Sequence, residues 1–493
     1  MSETDPLIFH LATPADTDRL AQLIAPHLGA RDIVLLSGQI GAGKTHFCRA
    51  LIQSLLGRAE DVPSPSFTLV QTYHGDFEIW HADLYRLSHP DEVEELGLQQ
   101  AFGAALCLIE WPDRLGSLAP KNAISLQFSP ENAGRVAVLD PGHRPDLRAA
   151  LTGFAAALGQ RKHQIDRFLQ HCDWTHARRD FLAGDASARR YERLQRGDDT
   201  AVLMDAPPDL GERPADFVRI AAHLRGIGLS APRIMAQDLD HGLLLIEDFG
   251  DGVFARLIEA DPALEAPLYT AATDALVQVQ SHPAAIDLPN LNATDWAEAA
   301  AFALTWYRYA ITGDRGPTQD FVATLTDLLQ RHADGPRVMI LRDYHAENLL
   351  WLPDRQGVER VGLLDFDLAQ LGQPAYDLVS LLQDARRDVA PETERAMIAR
   401  FQATQTNPPA DFAASYAVVG AQRALRILGI FARLCLVGGK PRYLDMIPRV
   451  WTHLGRNLAH PALAGLARIC ADLLPPPSAA NLERIRVQCG HFR

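Results

Sequence analysis

Two strings of residues in this 493-residue chain have the types and spacing that phosphoryl transfer requires. The first, Gly38-Gln39-Ile40-Gly41-Ala42-Gly43-Lys44-Thr45, fits GxxxxGKT. Its glycines Gly38, Gly41 and Gly43 let backbone N–H groups turn inward around phosphates, Lys44 is placed to reach the β/γ-phosphates, and the Thr45 hydroxyl suits Mg²⁺. The second is Arg342-Asp343-Tyr344-His345-Ala346-Glu347-Asn348, followed by Leu364-Asp365-Phe366. That is the D-x-x-x-x-N and D-F spacing in which Asp343 accepts or orients a substrate hydroxyl proton while Asn348 and Asp365 hold Mg²⁺ on the nucleotide phosphates.

The flanking residues are those that would position such groups. Ile33 to Ser37 is an apolar run suited to a buried strand, and His46 to Leu56 reads as a helix whose N-terminus faces the anion. Phe77 to Asp83 and Ala105 to Glu110 are two further apolar strands ending in carboxylates. In a parallel sheet those ends share the edge of the phosphate loop, so Asp83 and Glu110 can bind the metal or orient an attacking water. Taken singly, either acid could equally cap a turn. In the second region Ala183 to Tyr191 is a Gly/Ala/Ser turn before two alternating strands, Tyr191 to Leu194 and Ala201 to Met204. Such a turn either lays backbone N–H groups over phosphates or simply closes a hairpin. Leu243 to Gly250 reads as a strand entering a connector, with Glu247 at the nucleotide hinge in a kinase-like arrangement, or as a plain core strand.

Composition sets the frame. A chain of this length exceeds one hydrophobic core and suggests at least two domains. Apolar content of 47% with 22% charged residues is that of ordinary globular protein. Net charge is −14, and residues 1 to 150 carry 11 basic against 19 acidic side chains. Neither half is therefore a basic nucleic-acid binder, and any RNA would be held mainly by a partner. Six scattered cysteines without CxxC spacing read as reduced core or incidental thiols. Glu3 and Asp5 stand where a signal peptide would be basic, and Ala424 to Gly439 is too short and too charged to span a bilayer, so a cytoplasmic location is expected.

The first region resembles the small ATPase of the bacterial tRNA threonylcarbamoyladenosine machinery (TsaE, also called YjeE). The resemblance rests on the phosphate loop, Val62-Pro63-Ser64-Pro65-Ser66-Phe67-Thr68, His81-Ala82-Asp83-Leu84-Tyr85-Arg86, Glu94-Glu95-Leu96-Gly97 and Ile109-Glu110-Trp111-Pro112-Asp113-Arg114. It implies that Thr45, Asp83 and Glu110 surround the metal, that Ser64 to Thr68 is a nucleotide-sensing loop, and that Trp111 lies beside the nucleotide. Ser66 stands where that family usually has Thr. The implied partners are tRNA-modification subunits of the TsaB/TsaD type.

Leu341 to Asn348, Asp365 and Tyr376 to Leu382 resemble the aminoglycoside phosphotransferase superfamily. With Gly184-Asp185-Ala186-Ser187, Leu203 to Pro208 and Gln383 to Asp388, the region is similar to the anomeric sugar kinases of cell-wall recycling (AmgK), which phosphorylate C1 of N-acetylmuramate and N-acetylglucosamine. The resemblance implies ATP, Mg²⁺, an N-acetylated amino sugar, and nucleotide contacts from Ser187, Arg190 and Glu247. An aminoglycoside or other small alcohol is the alternative substrate, and a nucleotide-binding scaffold without turnover a third reading. No lysine lies between Lys162 and Lys440. The usual phosphate-pairing strand lysine is thus missing, and either Arg189 or Arg190 replaces it or the loop backbone and metal act without it. Arg386 and Arg387 could meet a lactyl carboxylate in two-pronged fashion or form a solvated helix face. Trp306 and Tyr307 could stack on a sugar ring, or belong to the core.

The expected architecture is an α/β P-loop NTPase domain (1–145), a linker (146–164), and an α+β protein-kinase-like, aminoglycoside phosphotransferase bilobal domain (165–493). Its N-lobe spans about 165–250 and its C-lobe about 251–493.

Overall fold

In a computed structural model of the chain, the described residues are 5–58, 60–87, 92–93, 96–132, 134–183, 189–284, 287–404 and 411–492. They form two compact units, Met1–Glu212 with Ala236–Leu245, and Arg213–Met235 with Ile246–Arg493.

The first unit begins with a seven-stranded sheet: β1 (Leu7–Leu11), β2 (Ile33–Gly38), β3 (Val70–His74), β4 (Glu78–Asp83), β5 (Leu106–Glu110), β6 (Ile124–Glu131) and β7 (Gly134–Asp140), in the order β1-β7-β6-β2-β5-β4-β3. Strand β2 is parallel to both β5 and β6, and β4 is parallel to β5. A strand flanked this way is covered on both faces, which is why β5 reads Leu-Cys-Leu-Ile-Glu and all five residues are buried. Helix α1 (Pro14–Ile24) opens on a reciprocal cap: the Asp16 amide donates to Thr13 Oγ1 (3.2 Å) and the Thr13 amide donates to Asp16 Oδ2 (2.8 Å). Helix α2 (Lys44–Leu56) follows the phosphate loop. A Cβ on Gly38 would stand 2.4 Å from the Phe128 carbonyl oxygen, and Gly38 has φ +139°, so only glycine fits this exit from β2.

Residues 146–164, expected as a linker, are helical. Helix α3 (Pro145–His171) is 27 residues long. Its first half buries Leu147 and Leu151 in the core of the large sheet, and its last turns bury Ile165, Phe168 and Leu169 against Trp174, Leu194, Leu203 and Leu245. The segment is polar overall, but its apolar residues recur every three or four positions, so one helix serves two cores. The second core backs a five-stranded sheet, β8 (Arg178–Ala183), β9 (Arg190–Arg196), β10 (Asp199–Asp205), β11 (Ile234–Asp238) and β12 (Leu243–Ile246), in the order β11-β12-β10-β9-β8.

The second unit is mainly helical: α4 (Pro214–Gly226), α5 (Glu265–Gln280), α6 (Ala375–Leu382), α7 (Phe412–Leu436) and α8 (Ile447–Leu458). Two short ribbons, β13 (Val338–Ile340) with β16 (Gln370–Gly372) and β14 (Leu349–Trp351) with β15 (Val361–Leu363), carry its loops. Helix α7 contains most of the apolar stretch read from the sequence, and among the described residues no helix is long and apolar enough to cross a membrane.

Helix α8 supplies a pH-sensitive contact. The His453 ring meets the Asp384 carbonyl oxygen (3.4 Å) and Arg456 Nη2 (3.0 Å). Burial, with Arg456 second, holds its pKa down from 6.5 to about 4. The unfolded chain therefore binds the proton more tightly, so the stabilisation present above pH 6.5 is lost as pH falls toward 4. Melting temperatures followed from pH 7 to pH 4.5 should decline less steeply in His453→Gln than in the wild type.

Candidate functional sites

The phosphate loop, β4 and β5 converge on one edge of the large sheet. Asp83 and Glu110 are paired across adjacent parallel strands, so their carboxylates emerge side by side. Glu110 Oε2 accepts from the Thr45 hydroxyl (3.1 Å), and Glu110 Oε1 meets His81 Nε2 (3.0 Å). Asp83 Oδ2 accepts from Ser66 Oγ (2.6 Å) and Ser64 Oγ (3.3 Å), and its Oδ1 from the Tyr85 amide (3.0 Å). The segment read as a nucleotide-sensing loop is thus attached by two hydroxyls to one of the two acids. Ser66 makes its bond through the hydroxyl it shares with threonine.

Lys44 is buried, and its Nζ donates to the carbonyls of Gly38 (2.8 Å) and Gln39 (3.0 Å). Burial lowers its pKa while the Glu110 and Asp83 charges oppose that shift. Its Nζ stands 4.0 Å from the centre of the Trp111 ring. Trp111 has φ +61°, uncommon for a bulky residue, and its amide donates to the Leu36 carbonyl (3.1 Å). Gly43, at φ +103°, opens α2, and a Cβ there would collide with the Arg135 guanidinium. Hydroxyl and carboxylate oxygens from Thr45, Asp83 and Glu110 are hard donors of the kind that suits Mg²⁺. Gly41 also has positive φ, within a loop whose amides can turn toward an anion.

In the second unit the ribbon β14–β15 brings Asn348 and Asp365 together, because Asn348 directly precedes Leu349, whose register partner is Leu363. Asn348 Nδ2 donates to the Asp343 carbonyl (2.9 Å) and lies 3.5 Å from Asp365 Oδ2. Asp365 has φ +54° and is exposed, while the next residue, Phe366, is fully buried and stacks on Phe217 with centroids 4.9 Å apart. The alternation anchors the backbone and leaves the carboxylate outside.

Asp377 on α6 fixes the start of this loop, a role that the sequence reading had not given it. Its carboxylate accepts from the amides of Leu341 (2.6 Å) and Arg342 (2.9 Å), and Arg342 has φ +72°. Asp377 is fully buried, which pushes its pKa up to about 7 against the pull of those two amides. Exchanging it for Asn puts an NH₂ donor against a backbone donor. Asp377→Asn should cost about 1.5–3 kcal/mol in the stability of this unit and lower kinase turnover, with ATP hydrolysis at the phosphate loop unchanged. Melting curves and parallel assays of the two activities check it.

Other expected site residues are placed as follows. Arg386 Nε meets Glu347 Oε2 (2.9 Å) and so touches the Asp343 loop. Arg387 is held by the Tyr269 hydroxyl (3.0 Å) and Glu265 (3.3 Å), and its guanidinium serves as a tie to α5. Tyr307 is fully buried and donates to the Pro475 carbonyl (2.8 Å), a core position. Arg189 pairs with Glu212 (2.9 Å) and Arg190 with Asp16 on α1 (2.8 Å), so both candidates for the missing lysine have acidic partners within the first unit. Met204 and Asp205, near the expected lysine position, are buried, and Asp205 accepts from Arg161 on α3. The Glu247 carboxylate accepts from Arg355 Nη2 (2.5 Å) and from the Arg233 amide (3.1 Å). Ser187 lies outside the described residues, as do Glu94 and Glu95.

Comparisons with known proteins divide the chain at the same place as its motifs. The family described as "Threonylcarbamoyl adenosine biosynthesis protein TsaE" matches residues 11–137, and the "Phosphotransferase enzyme family" matches residues 178–413. An N-acetylmuramate/N-acetylglucosamine kinase of Caulobacter vibrioides is 41% identical over 339 residues, 61% of this chain and 93% of that protein. The Pseudomonas aeruginosa protein of the same name is 37% identical, covering 59% of this chain and 87% of that one. The tRNA threonylcarbamoyladenosine biosynthesis protein TsaE of Rickettsia felis is 44% identical over 120 residues, 24% of this chain and 70% of that protein.

Proposed function

Because the chain belongs to the TsaE family over its first part and to the N-acetylmuramate/N-acetylglucosamine kinase family over the rest, we propose that it is a bifunctional enzyme. Its first part is the ATPase of the tRNA threonylcarbamoyladenosine machinery, and its second an ATP-dependent kinase acting at C1 of N-acetylmuramate and N-acetylglucosamine. What supports this reading is that each part has its own phosphoryl-transfer constellation: Thr45 against Glu110 beside Asp83, and Asn348 between Asp343 and Asp365.

In the ATPase, the amides of the phosphate loop and Lys44 cradle the β- and γ-phosphates, and Trp111 flanks the lysine. Thr45, Asp83 and Glu110 hold Mg²⁺, which neutralises charge on the phosphates when bound. One of the two acids orients the attacking water. Ser64 and Ser66 report the state of the site through Asp83. Subunits of the TsaB/TsaD type are the partners, and they supply the grip on tRNA that an acidic domain lacks.

In the kinase, Asp343 takes the proton of the anomeric hydroxyl as its oxygen attacks the γ-phosphorus. A new C1–O–P linkage forms, the bond from that phosphorus to the β–γ bridging oxygen breaks, and ADP leaves. Asn348 and Asp365 would hold a metal ion, which would neutralise charge on the nucleotide phosphates. Arg189 and Arg190 are engaged by Glu212 and Asp16, so charge on the nucleotide phosphates would be met by the metal rather than by a strand lysine. Arg386, next to the Asp343 loop, is the better candidate for the lactyl carboxylate than Arg387. Both activities consume ATP, and that requirement supports a cytoplasmic location.

Incubation with Mg-ATP and N-acetylmuramate, followed by ³¹P NMR, should reveal the sugar 1-phosphate. Phosphorylation of an aminoglycoside with no sugar 1-phosphate from either N-acetylated sugar would overturn the kinase assignment.

A further inference from the structure

Behind the phosphate loop, three side chains from three different elements meet out of reach of water. Cys48 on α2 and His81 on β4 are fully buried, and Glu110 on β5 is 2% exposed. One donor atom from each (the thiol sulfur, an imidazole nitrogen and a carboxylate oxygen) lies within 4.8 Å of the others. The sequence spacing explains the convergence. Cys48 comes four residues after Lys44 and three after Thr45, so it shares their side of the helix. His81 comes two residues before Asp83 and points to the same face of β4.

A buried His–Glu hydrogen bond beside a small core thiol is the simplest account of such a group. Two observations go beyond it. His81 Nδ1 is buried and has no hydrogen-bond partner. The donor set also differs in kind from the one facing the phosphates: Thr45, Asp83 and Glu110 present only oxygens, whereas this set joins sulfur, nitrogen and oxygen. Thiolate, imidazole and carboxylate together prefer Zn²⁺ to Mg²⁺, and three protein ligands leave one tetrahedral position open.

We propose that Cys48, His81 and Glu110 form a Zn²⁺ site, and that its occupation inhibits the ATPase. On binding, the thiol proton leaves to solvent as the Zn–S bond forms. The inhibition follows from Glu110, which belongs to both donor sets. Zn²⁺ on Glu110 competes with the Thr45 hydroxyl and places a second divalent charge next to the one that would accompany the nucleotide. Zn²⁺ and Mg-nucleotide are therefore antagonists. The inhibitory effect rests on the ATPase reading given above, but Zn²⁺ binding does not.

The test uses the full chain, stripped of metal by a chelator and dialysed against buffered free Zn²⁺ without nucleotide. Wild-type protein should retain one Zn²⁺ more than Cys48→Ala, and Cys48→Ser should lower the affinity by at least the 10- to 100-fold that even outer partners of a metal site contribute. Equal retention by all three folded proteins would overturn the site. In Mg-ATP hydrolysis assays, wild-type turnover should fall at a free Zn²⁺ concentration that leaves Cys48→Ala active, with the sugar kinase of the same chain as the control for loss of Mg-ATP to zinc. Equal inhibition of both proteins would overturn the regulatory role. A difference in retained Zn²⁺ in a chain that hydrolyses no ATP would uphold the site and refute the ATPase reading.

Discussion

Asp343→Asn should lower the kcat of the sugar kinase by about 10²–10⁴-fold, the range that general acid–base assistance supplies, while sugar and nucleotide still bind. The backbone of the loop does not depend on this side chain. The Asp343 amide donates to the Leu341 carbonyl (2.9 Å), its carbonyl accepts from Asn348 Nδ2, and the two amides before it are held by Asp377. An isosteric amide therefore leaves the loop in place and removes only the proton acceptor. Asp365→Asn is expected to differ in kind, since Asp365, 3.5 Å from Asn348, is proposed as a metal ligand and not as the proton acceptor. Its loss of charge should raise the KM for Mg-ATP, and added Mg²⁺ should restore part of the activity. Steady-state kinetics on N-acetylmuramate and N-acetylglucosamine separate the two. Near wild-type turnover by Asp343→Asn on both sugars would remove this loop from catalysis and leave the resemblance as one of fold.

What the sequence discloses here is whatever is contiguous. A phosphate cradle is built from neighbouring amides, so Gly38 to Thr45 is legible as a string. Asp83 and Glu110 are legible because apolar strands of a parallel sheet end at a common edge, while the register that sets them side by side is supplied by the fold. Asp377 is different in nature. It lies 34 residues beyond Asp343, and nothing in its local sequence shows that its two oxygens will accept the amides of Leu341 and Arg342. The Arg190–Asp16 pair joins residues 174 apart, and only the fold chooses such a partner. Helix α3 was hidden for another reason. Its composition is that of a connector, and its 3–4 periodicity becomes informative only when each half is given a core to face. The Cys48 group combines both obstacles, since a lone buried cysteine carries no signal until β4 and β5 bring an imidazole and a carboxylate to it.

Lys44→Ala should reduce ATP hydrolysis by at least about 10²–10³-fold, the cost of removing one preorganised group aimed at developing charge, and leave sugar 1-phosphate formation at the wild-type rate. The lysine has two roles to lose. It is the cation of the phosphate loop, and the Glu110 and Asp83 charges are the main influence opposing the effect of burial on its pKa. It also ties the loop together through the Gly38 and Gln39 carbonyls and packs against Trp111. Alanine leaves both carbonyls without this donor, so a modest fall in the melting temperature should accompany the loss of hydrolysis. That fall must stay small for the kinetic result to be read as chemistry. Lys44→Arg, which keeps the charge but exchanges a compact ammonium for a planar fork, should retain the fold and still hydrolyse ATP poorly, because the glycine cradle is shaped for the smaller head. The kinase constellation of Asp343, Asn348 and Asp365 belongs to a different compact unit with its own buried supports, Asp377 and Phe366. Independent sites predict independent loss. If a folded Lys44→Ala protein lost both activities to the same degree, the chain would contain one nucleotide site serving both reactions, and the two-site reading would fail.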